Sequence, residues 1–122
     1  MEIDRFEEIE AWKAERELTR GIYVLTRQEA FSKDFGLRDQ IQRASVSVMA
    51  NIAEGFDGRF PQEFIRFLGY AFRSATEVQS HLCVALDQAY LMKNEFDGLY
   101  QQAVETKKLI NGFIRYLRKA AR

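Results

Sequence analysis

Gln40-Ile41-Gln42-Arg43-Ala44-Ser45-Val46-Ser47-Val48-Met49-Ala50-Asn51-Ile52-Ala53-Glu54-Gly55 is the stretch whose pattern decides the fold. Gln40, Arg43, Ser47, Asn51 and Glu54 recur at spacings of three and four. At roughly 100° per residue, that spacing aligns all five on one side of a helix. Most of the remaining surface is apolar or small: Ile41, Ala44, Val46, Val48, Met49, Ala50, Ile52 and Ala53. A solitary surface helix shows one apolar stripe and a broad charged face. Here the proportion is inverted, so the helix is expected to be buried on more than one side, partly by other subunits. The pattern points to an assembly protein rather than an enzyme.

Three further helices flank it. The first is expected from Phe6 to Arg27, with Ala11, Ala14, Leu18, Ile22 and Leu25 on one face. Residues Glu29 to Gly36 break the pattern and read as a loop. The striped helix should stop at Glu54-Gly55, with Gly55 as a C-cap. Phe56 to Phe60 is then a short turn, and Pro61 suits the first position of a third helix, where its missing donor costs nothing. Phe64, Leu68, Ala71, Ala75, Val78, Leu82, Ala85 and Ala89 alternate steps of four and three, which carries that helix to about Leu91. Phe96, Leu99, Ala103, Thr106, Ile110, Phe113, Leu117 and Ala120 do the same in a fourth. Such repeats form the seam of near-antiparallel helix packing. With short connections, the expected architecture is all-α: one domain over residues 1–122, an antiparallel up-down-up-down four-helix bundle that assembles as a homo-oligomer.

Composition agrees with a small globular chain. Of 122 residues, 47% are hydrophobic and 30% charged, enough for a core. No apolar run is long enough for a bilayer, and the start of the chain is acidic rather than a basic signal segment. Cys83 stands alone and has no internal disulfide partner. A cytoplasmic location is the expectation. Net charge is zero, but its distribution is uneven. After Glu105 come Lys107, Lys108, Arg115, Arg118, Lys119 and Arg122, with no acid among them. These cations either complement the dipole of a helix C-terminus or offer a basic surface.

Gln40 to Val48, followed by Asn51-Ile52-Ala53-Glu54-Gly55, resembles the core motif of the four-helix-bundle proteins of 23S ribosomal-RNA intervening sequences. The match runs on through Glu63-Phe64, Phe67-Leu68, Ala71, Ser74 and Glu77. It reaches back to Trp12-Lys13, Leu18, Ile22-Tyr23 and Phe35-Gly36-Leu37. The resemblance implies a four-helix protomer in a homopentamer. It also implies kinship with the accessory protein of diversity-generating retroelements, which works with a reverse transcriptase and binds nucleic acid through a basic surface. Two positions depart from the pattern. Arg73 replaces the small residue that usually precedes the serine of the third helix, and Phe60 stands where a capping Ser is usual, leaving Glu63 without the hydroxyl partner of a capping box.

Ser47 and Glu54 invite a catalytic reading, but a nucleophilic serine needs a base in reach and donors for an oxyanion. His81, the one histidine, is paired by sequence with Glu77 at i,i+4, an ordinary helix pair. A hydrolase would also need a deep pocket beside Ser47. The stripe therefore reads as a buried or interfacial structural and assembly network, in which Arg43 and Glu54 neutralise each other across three turns or between helices and Asn51 bonds its neighbours. No catalytic residue, metal site or cofactor is expected: the Cys and His count does not suit zinc, and the glycines form no phosphate loop. Cys83 reads as a small packing residue. Nucleic-acid candidates are Arg59, Arg66 and Arg73, seven apart at the start of the third helix, together with Lys108, Arg115, Arg118, Lys119 and Arg122 of the fourth. Repetition in an oligomer would multiply them into a basic ring. Against this stand Glu63 and Glu77 nearby and a pI near 6.6. The expected function is a non-enzymatic oligomeric interaction protein that binds RNA or DNA as an accessory factor. The alternative is a structural or protein-partner-binding module with no nucleic acid. No membrane partner is expected.

Overall fold

The computed structural model of the protein describes residues 3–120. Among these the secondary structure is five α-helices and a 3-10 turn, with no strand. The chain enters through the 3-10 turn at Phe6–Glu8, and α1 spans Glu10–Thr26. Helix one therefore starts four residues later than the periodicity predicts. Ile9 separates the two pieces: it is extended and fully buried, so its side chain sets the break.

The stretch expected as a loop contains one helical turn, α2 (Glu29–Ser32), which carries Phe31 into the core. It also contains the start of α3 (Phe35–Phe56). Asp34 caps α3 by accepting from the Leu37 backbone N–H at 3.1 Å, and its second oxygen accepts the Tyr90 hydroxyl at 2.9 Å. Phe31 stacks on Tyr90 with ring centres 4.8 Å apart. The start of α3 is thus held by the segment that follows α4.

Gly55 is not a C-cap. It lies inside α3, and none of the described glycines has a positive φ. What it supplies is closeness: a Cβ there would stand 2.8 Å from both Phe64 Cδ1 and Phe67 Cβ. α4 (Pro61–Asp87) begins where expected, with Pro61 in its first turn and Phe60 extended at φ −125°, ψ 143° and making no side-chain cap bond. It ends before Leu91. Ala89 turns left-handed at φ 61°, the Tyr90 N–H bonds to the Ala85 carbonyl and the Ala89 N–H to the Leu86 carbonyl. Those are the paired bonds of a Schellman motif, and they take Ala89 off the seam into solvent. α5 spans Lys93–Ala120.

The α4 repeat from Phe64 to Ala85 is buried at all seven positions. On α5, Ala103, Thr106, Ile110 and Leu117 are buried, Phe96, Leu99 and Phe113 half-buried, and Ala120 exposed. α3 packs on α4, α4 on α5, and α1 on both α3 and α5. The apolar interior falls into two clusters. One includes Leu18, Ile22, Ile41, Val78, Leu82 and Ala103; the other includes Ile9, Val48, Ile52, Leu68, Ala75 and Ile110. Where each of three helices passes from one cluster to the other, it places a buried polar residue: Glu15 on α1, Ser45 on α3 and Thr106 on α5. α4 makes the crossing between Ala75 and Val78. No helix among the described residues is long and apolar enough to cross a membrane.

Candidate nucleic-acid interface and the polar layers beneath it

The striped helix is α3, and the structure sorts its polar residues into separate environments. Ser47 and Asn51 face α4 and are half-buried. The Ser47 hydroxyl lies 3.0 Å from that of Ser74, and Asn51 Nδ2 donates to the Ser47 carbonyl at 2.9 Å and its hydroxyl at 3.1 Å. Gln40, Arg43 and Glu54 are exposed. Arg43 and Glu54 make no ion pair among the described residues, so the expected neutralisation does not occur within the protomer. Eleven residues of helix separate them by ~16 Å along the axis, beyond the reach of either side chain. The remaining outer face of α3, with Val46 and Ala50, is open to solvent.

Ser47 has hydroxyl and amide neighbours. His81 Nε2 stands 3.9 Å from Glu77 Oε2, the i,i+4 pair expected, and makes no hydrogen bond. Four surface grooves of about 370 to 550 Å³ are lined by other residues than Ser47. Among the described residues no group of three His, Cys, Asp or Glu could hold a metal ion. Cys83 is exposed, not packed: it follows Leu82 by one position, and ~100° of helix turns it out of the seam.

The most perturbed group was missed in the sequence. Glu15 is fully buried on α1. Its Oε2 accepts the Ser45 hydroxyl at 3.2 Å and the Thr19 hydroxyl at 3.2 Å, and those two hydroxyls lie 2.7 Å apart. Its Oε1 has no partner, and neither does Thr106 Oγ1. Burial pushes the carboxyl up to about 8, against the smaller opposing pull of the Ser45 and Thr19 hydrogen bonds. At neutral pH it is therefore held mostly as the acid. The signal was present: Glu15 follows Ala11 by four and precedes Leu18 by three, a core position by the same periodicity that found its neighbours.

The candidate cations are all exposed where they are described. Arg66 and Arg73 share the outer face of α4, while Arg59 lies in the turn before Pro61 rather than on the helix. Arg66 sits over the Phe67 ring at 5.6 Å. On α5, Lys108, Arg115 and Lys119 fall on one outward line, with Arg118 turned about 60° from Arg115. Lys108 lies 3.7 Å from Glu105. Arg59, Arg66, Arg73, Arg115, Arg118 and Lys119 make no ion pair among the described residues, whereas Lys13, Arg20, Lys33 and Lys93 are each matched by a carboxylate on their own helix or turn. Arg122 lies outside the described residues. Lys107, counted among the C-terminal bases, ties α5 to α4 instead. It donates to Gln79 Oε1 at 2.9 Å and covers the Phe72 ring at 4.7 Å.

A family model described as 23S rRNA-intervening sequence protein matches residues 7–112. The fold is similar to the 1.70 Å crystal structure of a protein with unknown function from the S23 ribosomal protein family of Bacteroides thetaiotaomicron. The TM-score is 0.78 at 23% identity, covering 85% of this chain and 97% of that one. No curated protein matches the chain.

Proposed function

The chain belongs to the 23S rRNA-intervening sequence protein family, and from that premise we propose that it is a non-enzymatic, homo-oligomeric accessory protein of the cytoplasm that binds nucleic acid. The four long helices are read as an antiparallel up-down-up-down bundle, since Gly55 adjoins Phe64, Ser47 meets Ser74 and Phe64 meets Phe113. Assembly, as a pentamer by family resemblance, is supported by the outer face of α3 and by large exposed apolar side chains such as Phe35, Phe60 and Met92.

The observation that carries nucleic-acid binding is the contrast in pairing. Among the described residues Arg59, Arg66, Arg73, Arg115, Arg118 and Lys119 lie on α4, its leading turn and α5 without carboxylate partners, whereas Lys13, Arg20, Lys33, Lys93 and Lys108 each have one on their own helix or turn. Each unmatched cation can displace a counterion from a phosphate, and such contacts add. Replacing Arg115, Arg118 and Lys119 together with Gln should weaken RNA binding and flatten its salt dependence, with helix content unchanged. Wild-type protein that retains no RNA or DNA at low salt, while holding a protein partner at any salt, would establish the alternative, a protein-binding module.

A further inference from the structure

We propose that the groove between α1 and α3 is a second, independent site: a track for single-stranded nucleic acid, with its phosphates on Arg16, Arg20 and Arg27 and a base on Tyr23. The groove has a volume of about 550 Å³; Thr19 and Met49 line it with these four residues. Arg16, Arg20, Tyr23 and Arg27 follow one another by four, three and four residues. At roughly 100° per residue they lie within a sector of about 60°, so they form one line down α1 and onto Arg27, the residue that caps its end in helical angles.

The spacing selects the ligand. Along the helix axis the attachment points of the second and third guanidinium groups lie ~6 Å and ~16 Å from the first. One phosphate cannot reach all three, so a lone anion or a mononucleotide leaves part of the line unused. A chain with a charge at every residue uses it all. Tyr23 falls between Arg20 and Arg27, with Met49 from α3 in the same wall, and Tyr23 is 36% exposed. An aromatic face set between cations suits stacked bases, which every unpaired strand presents and an acidic peptide does not.

The cations are available. Arg16 and Arg27 make no ion pair among the described residues, and Arg20 has only Glu17 at 3.0 Å, with both side chains about 60% exposed. Such an exposed pair is weak and gives way to a phosphate. Arg16 lies over the Trp12 ring at 5.6 Å, a contact that leaves its N–H groups free to donate. Glu15, bonded to the groove residue Thr19, is held mostly as the acid at neutral pH and so adds little negative charge beneath the groove.

The cations of α4 and α5 play no part in this groove, so the two readings fail separately. Fluorescence anisotropy with a labelled twelve-nucleotide pyrimidine strand, its duplex form and inorganic polyphosphate as competitor gives the test. Replacing Arg16, Arg20 and Arg27 with Gln should weaken single-strand binding more than tenfold. It should also reduce the magnitude of the log–log salt slope by about 2, at ~0.7 for each phosphate no longer neutralised. Tyr23→Leu should weaken binding roughly five- to hundredfold while leaving the salt slope unchanged, the effect of unstacking one base. Equal binding by wild type and both variants, with the α5 triple variant defective, would overturn this site and leave the α4–α5 reading intact. A Tyr23→Leu variant that binds normally and polyphosphate that competes as well as the strand would reduce the groove to a plain anion surface and also overturn it.

Discussion

Ser45 and Ser47 stand two residues apart on α3 and bond to opposite neighbours. Ser45 turns to α1, where it and Thr19 share one oxygen of the fully buried Glu15. Ser47 turns to α4, where it meets Ser74 and carries Asn51, in surroundings only partly closed to solvent. Both flanks are built from small hydroxyl residues that let helices approach. They differ in one respect: the hydrogen-bond network on the α1 flank contains a titratable group, Glu15, and that of Ser47, Ser74 and Asn51 does not. Closeness on the α4 side comes instead from Gly55 against Phe64 and Phe67. One helix is therefore joined to its neighbours by two kinds of contact, one set by protonation and one by shape.

The largest expected effect separates the flanks by pH. The Glu15 carboxyl has an ordinary value of 4.5 and is raised to about 8 in the fold. Between those values the folded state keeps a proton that the unfolded chain has lost. Stability from this group is therefore complete below about pH 4.5 and falls as pH rises towards 8. At about 1.4 kcal/mol per pH unit, the loss is on the order of 5 kcal/mol across the window. Glu15→Gln keeps the shape and removes the titration, so its urea midpoint should stay level where the wild type declines. Parallel pH profiles for the two proteins would erase the distinction between the flanks.

Next in size is the shape contact. Gly55→Ala gains about 1 kcal/mol of helix propensity, but its methyl group meets the Phe67 Cβ, which cannot swing aside. Overpacking of this kind costs about 1–3 kcal/mol, and a net loss of stability is expected at every pH. A rise in thermal midpoint would show that α3 and α4 are not closely fitted there. Phe60→Ser gives the opposite sign in the turn between the same helices. The ring is 65% exposed and the backbone is already extended, so a hydroxyl cap should add about 0.5–2 kcal/mol. Loss of stability at high protein concentration would mean that another chain covers the ring. Smallest is Ser47→Ala, which removes a hydroxyl pair and should cost about 1 kcal/mol with the same value at pH 5 and pH 8. A pH-dependent penalty would show that the α4 flank titrates after all.

The seams of α4 and α5 were legible because their apolar residues repeat in steps of three and four from Phe64 to Ala85 and from Ala103 to Leu117. Helix ends were less so. Gly55 sits where a C-cap glycine would, but its reason for being Gly is a ring on another helix, which local sequence does not encode. Ala89 fits the α4 repeat, but it takes the left-handed position that glycine usually holds. Among the site residues, Ser47 and Asn51 were found by their stripe. Within the protomer Arg43 does not reach Glu54, because alignment on a face says nothing of distance along it; pairing between helices of neighbouring protomers is the form of that expectation that an assembly would test. Glu15 passed unnoticed as one of seven acids in the first twenty residues, since a charged residue in an apolar repeat reads as surface until its partners on another helix are known. The arginine line of α1 was hidden in the same way, diluted by the acids around it.

The polar layer of Glu15, Ser45 and Thr106 divides the apolar interior across the bundle rather than along it. Each cluster draws on α1, α3, α4 and α5, so each half has its own share of every long helix and its own buried contacts. Amide exchange should then report sub-global openings in which one end of all four helices loosens while the other end keeps its protection. Separate opening of the two ends would make the cooperative units transverse halves rather than helices or hairpins, and the same exchange measured on Glu15→Gln at pH 8 would show whether the proton on Glu15 alters their coupling.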